Sequence, residues 1–189
     1  MANLKYEGID CKVERMRVID ISKEKLTVMP PDTTSELLSE VEKWLSLQEH
    51  QLDRFIVAEV PELLKLGYGV DALNVLNRWL LDEVKPPAQG GKFTEIEIEK
   101  MGLAARFLGE SLVRNFEGEW VLTSDEAKSN LVAPSVMLPY GRPIFEVFQE
   151  IRSVVVRADK TDLETLFGLT ERVYGEWVAK GSPRVLPLA

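Results

Sequence analysis

Residues 94–115 read TEIEIEKMGLAARFLGESLVRN, and this segment decides the fold. It opens with Thr94-x-x-Glu97, a capping box in which the hydroxyl accepts an early backbone N–H and the carboxylate reaches back. Apolar or small residues surround nearly the whole of the helix that follows, and a helix of that kind is buried on most sides. The sequence therefore predicts a central helix from Glu95 to about Asn115.

Four charged residues form one narrow stripe on this helix: Glu99, Arg106, Glu110 and Arg114. Arg106 with Glu110, and Glu110 with Arg114, are i, i+4 pairs, so the plainer interpretation is a surface ladder worth about 0.2–0.5 kcal/mol per pair. The functional hypothesis places Glu110, beside Gly102 and Gly109, in a binding groove where glycine lets another backbone approach closely.

The chain before this helix predicts strands and then helices. Alternation of apolar and polar residues around Ile9–Val13, followed by Arg17–Ile21 and Lys25–Met29 on either side of a turn, predicts an N-terminal β-hairpin. A second capping box, Thr33-x-x-Glu36, opens either one long helix or two helices with a kink near Gln48–His50. Asp71 is the predicted N-cap of a helix over Ala72–Val84.

Short strands and two helices are predicted after the central helix. Glu119–Leu122 and Leu131–Leu138 are the strands, and Pro134 places the second at a sheet edge or a bulge. Pro143 suits the first position of the next helix, and Thr161-x-x-Glu164 is a third capping box that opens the last one.

Together these elements predict an α+β fold. The fold is a helix-dominated single domain over residues 1–189, with an N-terminal β-hairpin and a short second β element around the central helix. Gln89-Gly90-Gly91 marks a subdomain boundary near residues 86–93, although it is too short to act as an independent linker.

Charge and composition narrow the classes of function. Of the 189 residues, 23 are Lys or Arg and 31 are Asp or Glu, so the net charge is −8. This balance disfavours nucleic acid, because phosphates require clustered cations. No apolar run approaches the roughly 20 residues that span a bilayer, and no secretory signal is visible. We therefore expect a cytoplasmic protein without a membrane partner.

The chain has few residues for familiar catalysis. It contains one histidine, His50, and one cysteine, Cys11. A Ser-His-Asp or Cys-His arrangement would need His50, which lies on the polar side of its predicted helix and is expected to be exposed. Zinc and phosphate-loop motifs are absent. The sequence predicts neither a metal nor a cofactor and favours a non-enzyme.

Aromatic residues provide the remaining candidates for a site. Trp44, Trp79 and Trp177 lie on apolar helical stripes and are predicted to be core residues. Trp120 is expected to anchor the sheet on the central helix, or else to line a pocket with two residues of the next turn. The candidate binding residues are therefore Arg106, Glu110, Arg114, Trp120, Tyr140 and Arg142.

Part of the chain resembles a group of uncharacterised bacterial domains. The resemblance rests on four segments: Phe107-Leu108-Gly109-Glu110, Gly118-x-Trp120, Pro134–Gly141 and Ile144–Phe148. In those domains a helix bearing LGE leads through a turn into GxW, a proline-bearing strand and a Phe-rich helix. The likeness covers roughly Ile98 to Tyr174, and it implies no catalytic residues. Some small bacterial proteins similar to these are suspected of being immunity proteins for secreted toxins.

The sequence and the resemblance favour a non-enzymatic cytosolic protein-binding module. Its sharpest form is an acidic immunity-type inhibitor that covers a basic toxin. A carboxylate-dependent small-molecule enzyme or ligand-binding protein stays open, and it would need two acids with opposed pKa environments in one pocket. A structural or oligomeric accessory protein also stays open, with the apolar tail Val185–Ala189 as its contact surface and a homo-oligomer as its form.

Overall fold

The computed structural model describes residues 18–20, 27–28, 43–44, 46–88, 91–125 and 131–183. These ranges contain six helices: α1 Gln48–Ala58, α2 Leu63–Leu66, α3 Val70–Glu83, α4 Glu95–Phe116, α5 Val147–Arg157 and α6 Asp162–Ala179. They also contain five strands: β1 Val18–Asp20, β2 Thr27–Val28, β3 Glu119–Asp125, β4 Leu131–Leu138 and β5 Gly141–Phe145. Helices dominate, which confirms the predicted α+β class. The single-domain organisation stays a prediction.

Helix α4 is the centre of the molecule, as predicted. It contacts α1, α3, α5, α6, β3 and β4, and every residue from 104 to 112 is buried. The capping box is present, because Glu97 N donates to Thr94 Oγ1 at 3.3 Å and Thr94 N donates to Glu97 Oε2 at 2.7 Å. Burial of large side chains such as Phe107 stabilises the fold by about 1.5–3 kcal/mol each.

The sheet has the order β2-β1-β3-β4-β5, and its three longer strands belong to the C-terminal half. This corrects the expectation of an N-terminal hairpin with only a short second β element. The pairs β3–β4 and β4–β5 are antiparallel, while β1 joins β3 in parallel. Strands β1 and β2 do pair antiparallel, with Ile19 opposite Val28, but Ile9–Val13 lies outside the described residues.

The C-terminal strands were underestimated because both faces of the sheet are covered. Val136 and Leu138 pack into the main core with the helices. Ile19, Val121 and Met137 form a smaller cluster of their own. A strand that is buried on both faces lacks the alternation of apolar and polar residues that marks a half-exposed strand.

Two prolines occupy strands at positions with one described neighbour. Pro134 lies opposite Leu122 of β3, and β5 pairs only with Val136–Leu138, so β4 is a local edge at Pro134, as predicted. Pro143 lies in β5 and does not open a helix, which corrects the prediction. It is tolerated because β5 is the last strand in the sheet order, where a missing N–H breaks no ladder on the outer side.

The predicted cap at Thr161 is wrong, because a contact distant in sequence replaces it. The Thr161 side chain caps no backbone N–H of α6, and both its N–H and its hydroxyl donate to Asp159 Oδ1. The buried Asn77 of α3 takes over part of this role. Its Oδ1 accepts from Leu163 N at 3.4 Å, and its Nδ2 donates to the Asp159 carbonyl at 3.0 Å.

The other helix starts are only partly as expected. Helix α3 begins at Val70 with Gly69 as its N-cap, so Asp71 lies in the first turn and is not the predicted cap. Helix α1 begins at Gln48, where the sequence left a kink open, and the Thr33 capping box lies outside the described residues. His50 is exposed, as predicted. Trp177 is buried, while Trp44 and Trp79 are partly buried.

Candidate functional site

Four of the six predicted binding residues lie together, but mostly inside the protein. With Trp44 and Gln48 they form what we call the Glu110 cluster: Trp44, Gln48, Arg106, Glu110, Arg114 and Trp120. Glu110 is 8% exposed, and its Oε1 accepts from Gln48 Nε2 at 2.7 Å and from Trp120 Nε1 at 3.1 Å. Its Oε2 accepts from Arg114 Nε at 3.1 Å. Three donors from three parts of the chain therefore satisfy one carboxylate.

Arg106 is enclosed by Trp44. The guanidinium carbon lies 3.6 Å from the centre of the Trp44 ring, and Nη1 donates to the Trp44 carbonyl at 2.6 Å. Arg106 is 2% exposed, and this burial lowers its pKa to about 10. The predicted surface ladder is therefore wrong for Arg106 and Glu110, because the residues that cover them come from outside the helix.

Trp120 fills the space that glycine leaves on α4. A Cβ placed on Gly109 would overlap the Trp120 ring, so the close approach at Gly109 comes from this chain. The ring also meets Trp44 edge to face, with centroids 5.8 Å apart. These contacts confirm the prediction that Trp120 anchors the sheet on the central helix. A Cβ on Gly102, by contrast, meets no described atom within 4 Å.

The last two predicted residues lie elsewhere. Tyr140 packs near α6, with its ring 6.3 Å from that of Trp177. Burial raises the pKa of the Tyr140 phenol to about 12, so the hydroxyl stays protonated at neutral pH. Arg142 lies in β5, and its side chain is outside the description. The structure therefore does not place Trp120 and Tyr140 in one pocket.

Tyr140 instead lines a groove between α5 and α6, which we call the α5–α6 groove. Its volume is about 520 Å³. Apolar walls come from Phe145, Val154, Leu166, Leu169 and Val173. Polar groups come from Tyr140, Glu150, Arg157, Asp162 and Thr165. A volume of 300–1,000 Å³ is roughly the size of known ligand sites, which makes this groove the second candidate for a functional site.

The charges of the α5–α6 groove are unequally satisfied. Arg157 Nε donates to Asp162 Oδ2 at 3.0 Å, so Asp162 has a cationic partner. Glu150 is half-buried and, among the described residues, accepts no hydrogen bond. Burial raises the pKa of Glu150, with a smaller lowering effect from Arg157 and further raising effects from Glu146 and Asp162. A carboxylate in this state is short of a cation.

Sequence reasoning missed the charged residues of this groove. Glu150, Val154 and Arg157 are spaced i, i+4, i+7 and therefore share one face of α5. The available signal was an acid beside the apolar stripe of that helix. The stripe was assigned to the core as a whole, and nothing in it predicts that α6 leaves a gap along one side.

The described residues hold no group of three or more His, Cys, Asp or Glu side chains arranged to bind a metal ion. None of the helices within the described ranges is long and apolar enough to cross a membrane. Comparison with protein-family models, with curated proteins and with solved structures gave no match. The resemblance to immunity-like bacterial domains therefore stays a prediction.

Proposed function

We propose that the protein is a non-enzymatic protein-binding module of the acidic, immunity type, and that it docks its partner in the α5–α6 groove. The observation that carries this proposal is the apolar wall that the groove leaves open to solvent. Leu169 is 50% exposed and Val173 is 36% exposed, although both line the groove. Apolar side chains gathered in an open groove are typical of an interaction surface.

Charge supports a basic partner. The chain carries a net charge of −8, and Glu150 lies in the groove without a cationic partner among the described residues. Complementary charge speeds the encounter of two proteins and disfavours acidic competitors. In this proposal the Glu110 cluster holds the framework, because its carboxylate already has three donors.

Affinity capture from native lysate, with matched variants, tests the proposal. Leu169→Glu places a charge on the groove wall, whereas Val178→Glu does so nine residues later, on the opposite side of α6. Val178 is 47% exposed and does not line the groove, so the two substitutions are closely comparable. We expect a stoichiometric partner with the wild type and Val178→Glu but not with Leu169→Glu. A partner retained by Leu169→Glu, or no partner at all, contradicts the proposal.

A small-molecule protein is the second candidate, because two acids with different surroundings share the groove. Burial raises the pKa of Glu150, whereas Asp162 accepts a hydrogen bond from Arg157. The exposure of Leu169 weighs against it, since small-molecule sites usually enclose most of the ligand. A molecule retained by the purified protein in native mass spectrometry would favour this candidate. The oligomeric alternative depended on Val185–Ala189, which lies outside the described residues.

A further inference from the structure

We propose that Glu150 selects the occupant of the α5–α6 groove, and that this occupant is a segment of a partner protein presenting a Lys or Arg side chain along an apolar face. The inference rests on the proposed function and names the chemistry of the partner. It depends on the state of Glu150, on the charges around it and on the length of the groove.

Glu150 is placed to receive a cation. It lies one helical turn before Val154, whose side chain is 2% exposed, so the carboxylate borders the apolar wall. Its half-burial removes part of its hydration, and no donor among the described residues replaces the lost water. Removing a charge from water without a partner is unfavourable. An incoming ammonium or guanidinium group would supply the missing partner.

The neighbouring charges favour a cation over an anion. Arg157 is the cation among the lining residues, and its Nε is already bonded to Asp162. Glu146 and Asp162 both add negative potential at Glu150, since both raise its pKa. An anionic group entering here would meet like charge, whereas a Lys or Arg would meet opposite charge. Charge complementarity therefore assigns the sign of the occupant.

The groove is too long for a small amine alone. Its wall on α6 runs from Asp162 to Val173, which is about 16 Å at 1.5 Å per residue. A protein segment could fill this length with apolar side chains against Leu166 and Leu169. The methylene stem of a Lys or Arg would lie along the same wall, as such stems commonly do on apolar surfaces.

The two ends of the groove differ in polarity. The charged groups Glu150 and Asp162 interact at the N-terminal end of α6. Tyr140 lies near Trp177, which is one turn beyond Val173 at the other end. Because its phenol stays protonated, Tyr140 offers a hydroxyl donor to a backbone carbonyl of the segment. This asymmetry gives the bound segment a direction, with its cation towards Glu150.

The test uses a fluorescently labelled 14-residue peptide of Leu and Lys at helical spacing, and a matched peptide with Gln in place of Lys. Binding is measured by anisotropy to the full chain, to Glu150→Gln and to Glu171→Gln. Glu171 is an exposed acid of α6 outside the groove, so both variants lose one negative charge. We expect Glu150→Gln to bind the Lys peptide about tenfold more weakly, a change of about 1.4 kcal/mol. Glu171→Gln should stay within about twofold of the wild type.

Three results overturn the inference: no binding of the Lys peptide to the wild type, equal weakening by both variants, or hexylammonium binding as tightly as the peptide. Equal weakening would mean attraction by net charge alone. Tight hexylammonium binding would mean a small-molecule site. Far-UV circular dichroism checks that Glu150→Gln is folded, and Leu169→Glu gives a second variant that should also weaken the peptide.

The inference and the proposed function fail separately. Capture of a partner that depends on Leu169 but binds Glu150→Gln normally overturns the inference and leaves the proposed function standing. Peptide binding that depends on Glu150, without any partner in capture, overturns the proposed function and leaves the cation preference of the groove.

Discussion

Alanine should have opposite effects at two glycines of the same helix. Gly102 and Gly109 both lie within α4, where alanine is more favourable than glycine by about 0.8–1 kcal/mol. At Gly102 the new Cβ meets no described atom within 4 Å, so we expect Gly102→Ala to stabilise the protein by nearly this amount. At Gly109 the new Cβ overlaps the Trp120 ring, so we expect Gly109→Ala to destabilise it.

The contacts of Trp120 determine the size of the loss. The ring cannot move freely, because its Nε1 donates to Glu110 at 3.1 Å and its edge meets Trp44. Inserting a methyl group into a packed core costs about 1–3 kcal/mol. A weakened hydrogen bond adds about 0.5–1.5 kcal/mol. After the gain in helix propensity, the net loss is about 1–3 kcal/mol, so the two variants should differ by about 2–4 kcal/mol.

Urea unfolding followed by far-UV circular dichroism measures this difference. In a protein of this size it corresponds to a Tm difference of roughly 4–16 °C. Trp fluorescence provides a second readout, since displacement of Trp120 from its contacts should change the emission of Gly109→Ala and not that of Gly102→Ala. If Gly109→Ala is as stable as Gly102→Ala, the packing of Trp120 on α4 is not as described.

Three further predictions follow from individual polar contacts. Glu110→Ala leaves donors of Gln48 and Trp120 unpaired and should cost about 2–5 kcal/mol in urea unfolding, whereas Glu99→Ala, an exposed acid of the same helix, should stay within about 0.5 kcal/mol. Asn77→Ala removes two bonds to the α5–α6 connection and should cost about 1–3 kcal/mol, with Asn74→Ala as control and hydrogen exchange of the Leu163 amide as local readout. Because burial raises the pKa of Glu150, stability should fall as pH rises above about 4.5, and Glu150→Gln should remove this part of the Tm–pH profile; an unchanged profile would contradict it.

The central helix could be predicted because its signals are local. The capping box at Thr94 and Glu97 lies within four residues, and both of its hydrogen bonds are present. The apolar circumference of residues 104–112 requires no knowledge of the covering elements, only that there must be some. The same local signal failed at Thr161, where Asn77, more than 80 residues away in sequence, satisfies the backbone.

The orientation of the charged stripe could not be predicted in the same way. Spacing places Arg106 and Glu110 on one face of α4, but it does not say whether that face meets water. Trp44 and Gln48 cover them across 62 residues of sequence. The groove posed a similar problem, since the gap along α5 depends on how α6 packs and no short motif encodes that packing.

Glu110 and Glu150 separate the framework of the protein from its proposed docking surface. Both are carboxylates withdrawn from water, but Glu110 accepts from three donors and Glu150 accepts from none among the described residues. An incoming cation would have to displace existing partners at Glu110, whereas at Glu150 it would relieve an unfavourable state. Removal of the carboxylate should therefore unfold the protein at the first position. At the second it should stabilise the protein and weaken binding, the trade-off expected where a site is kept for a partner.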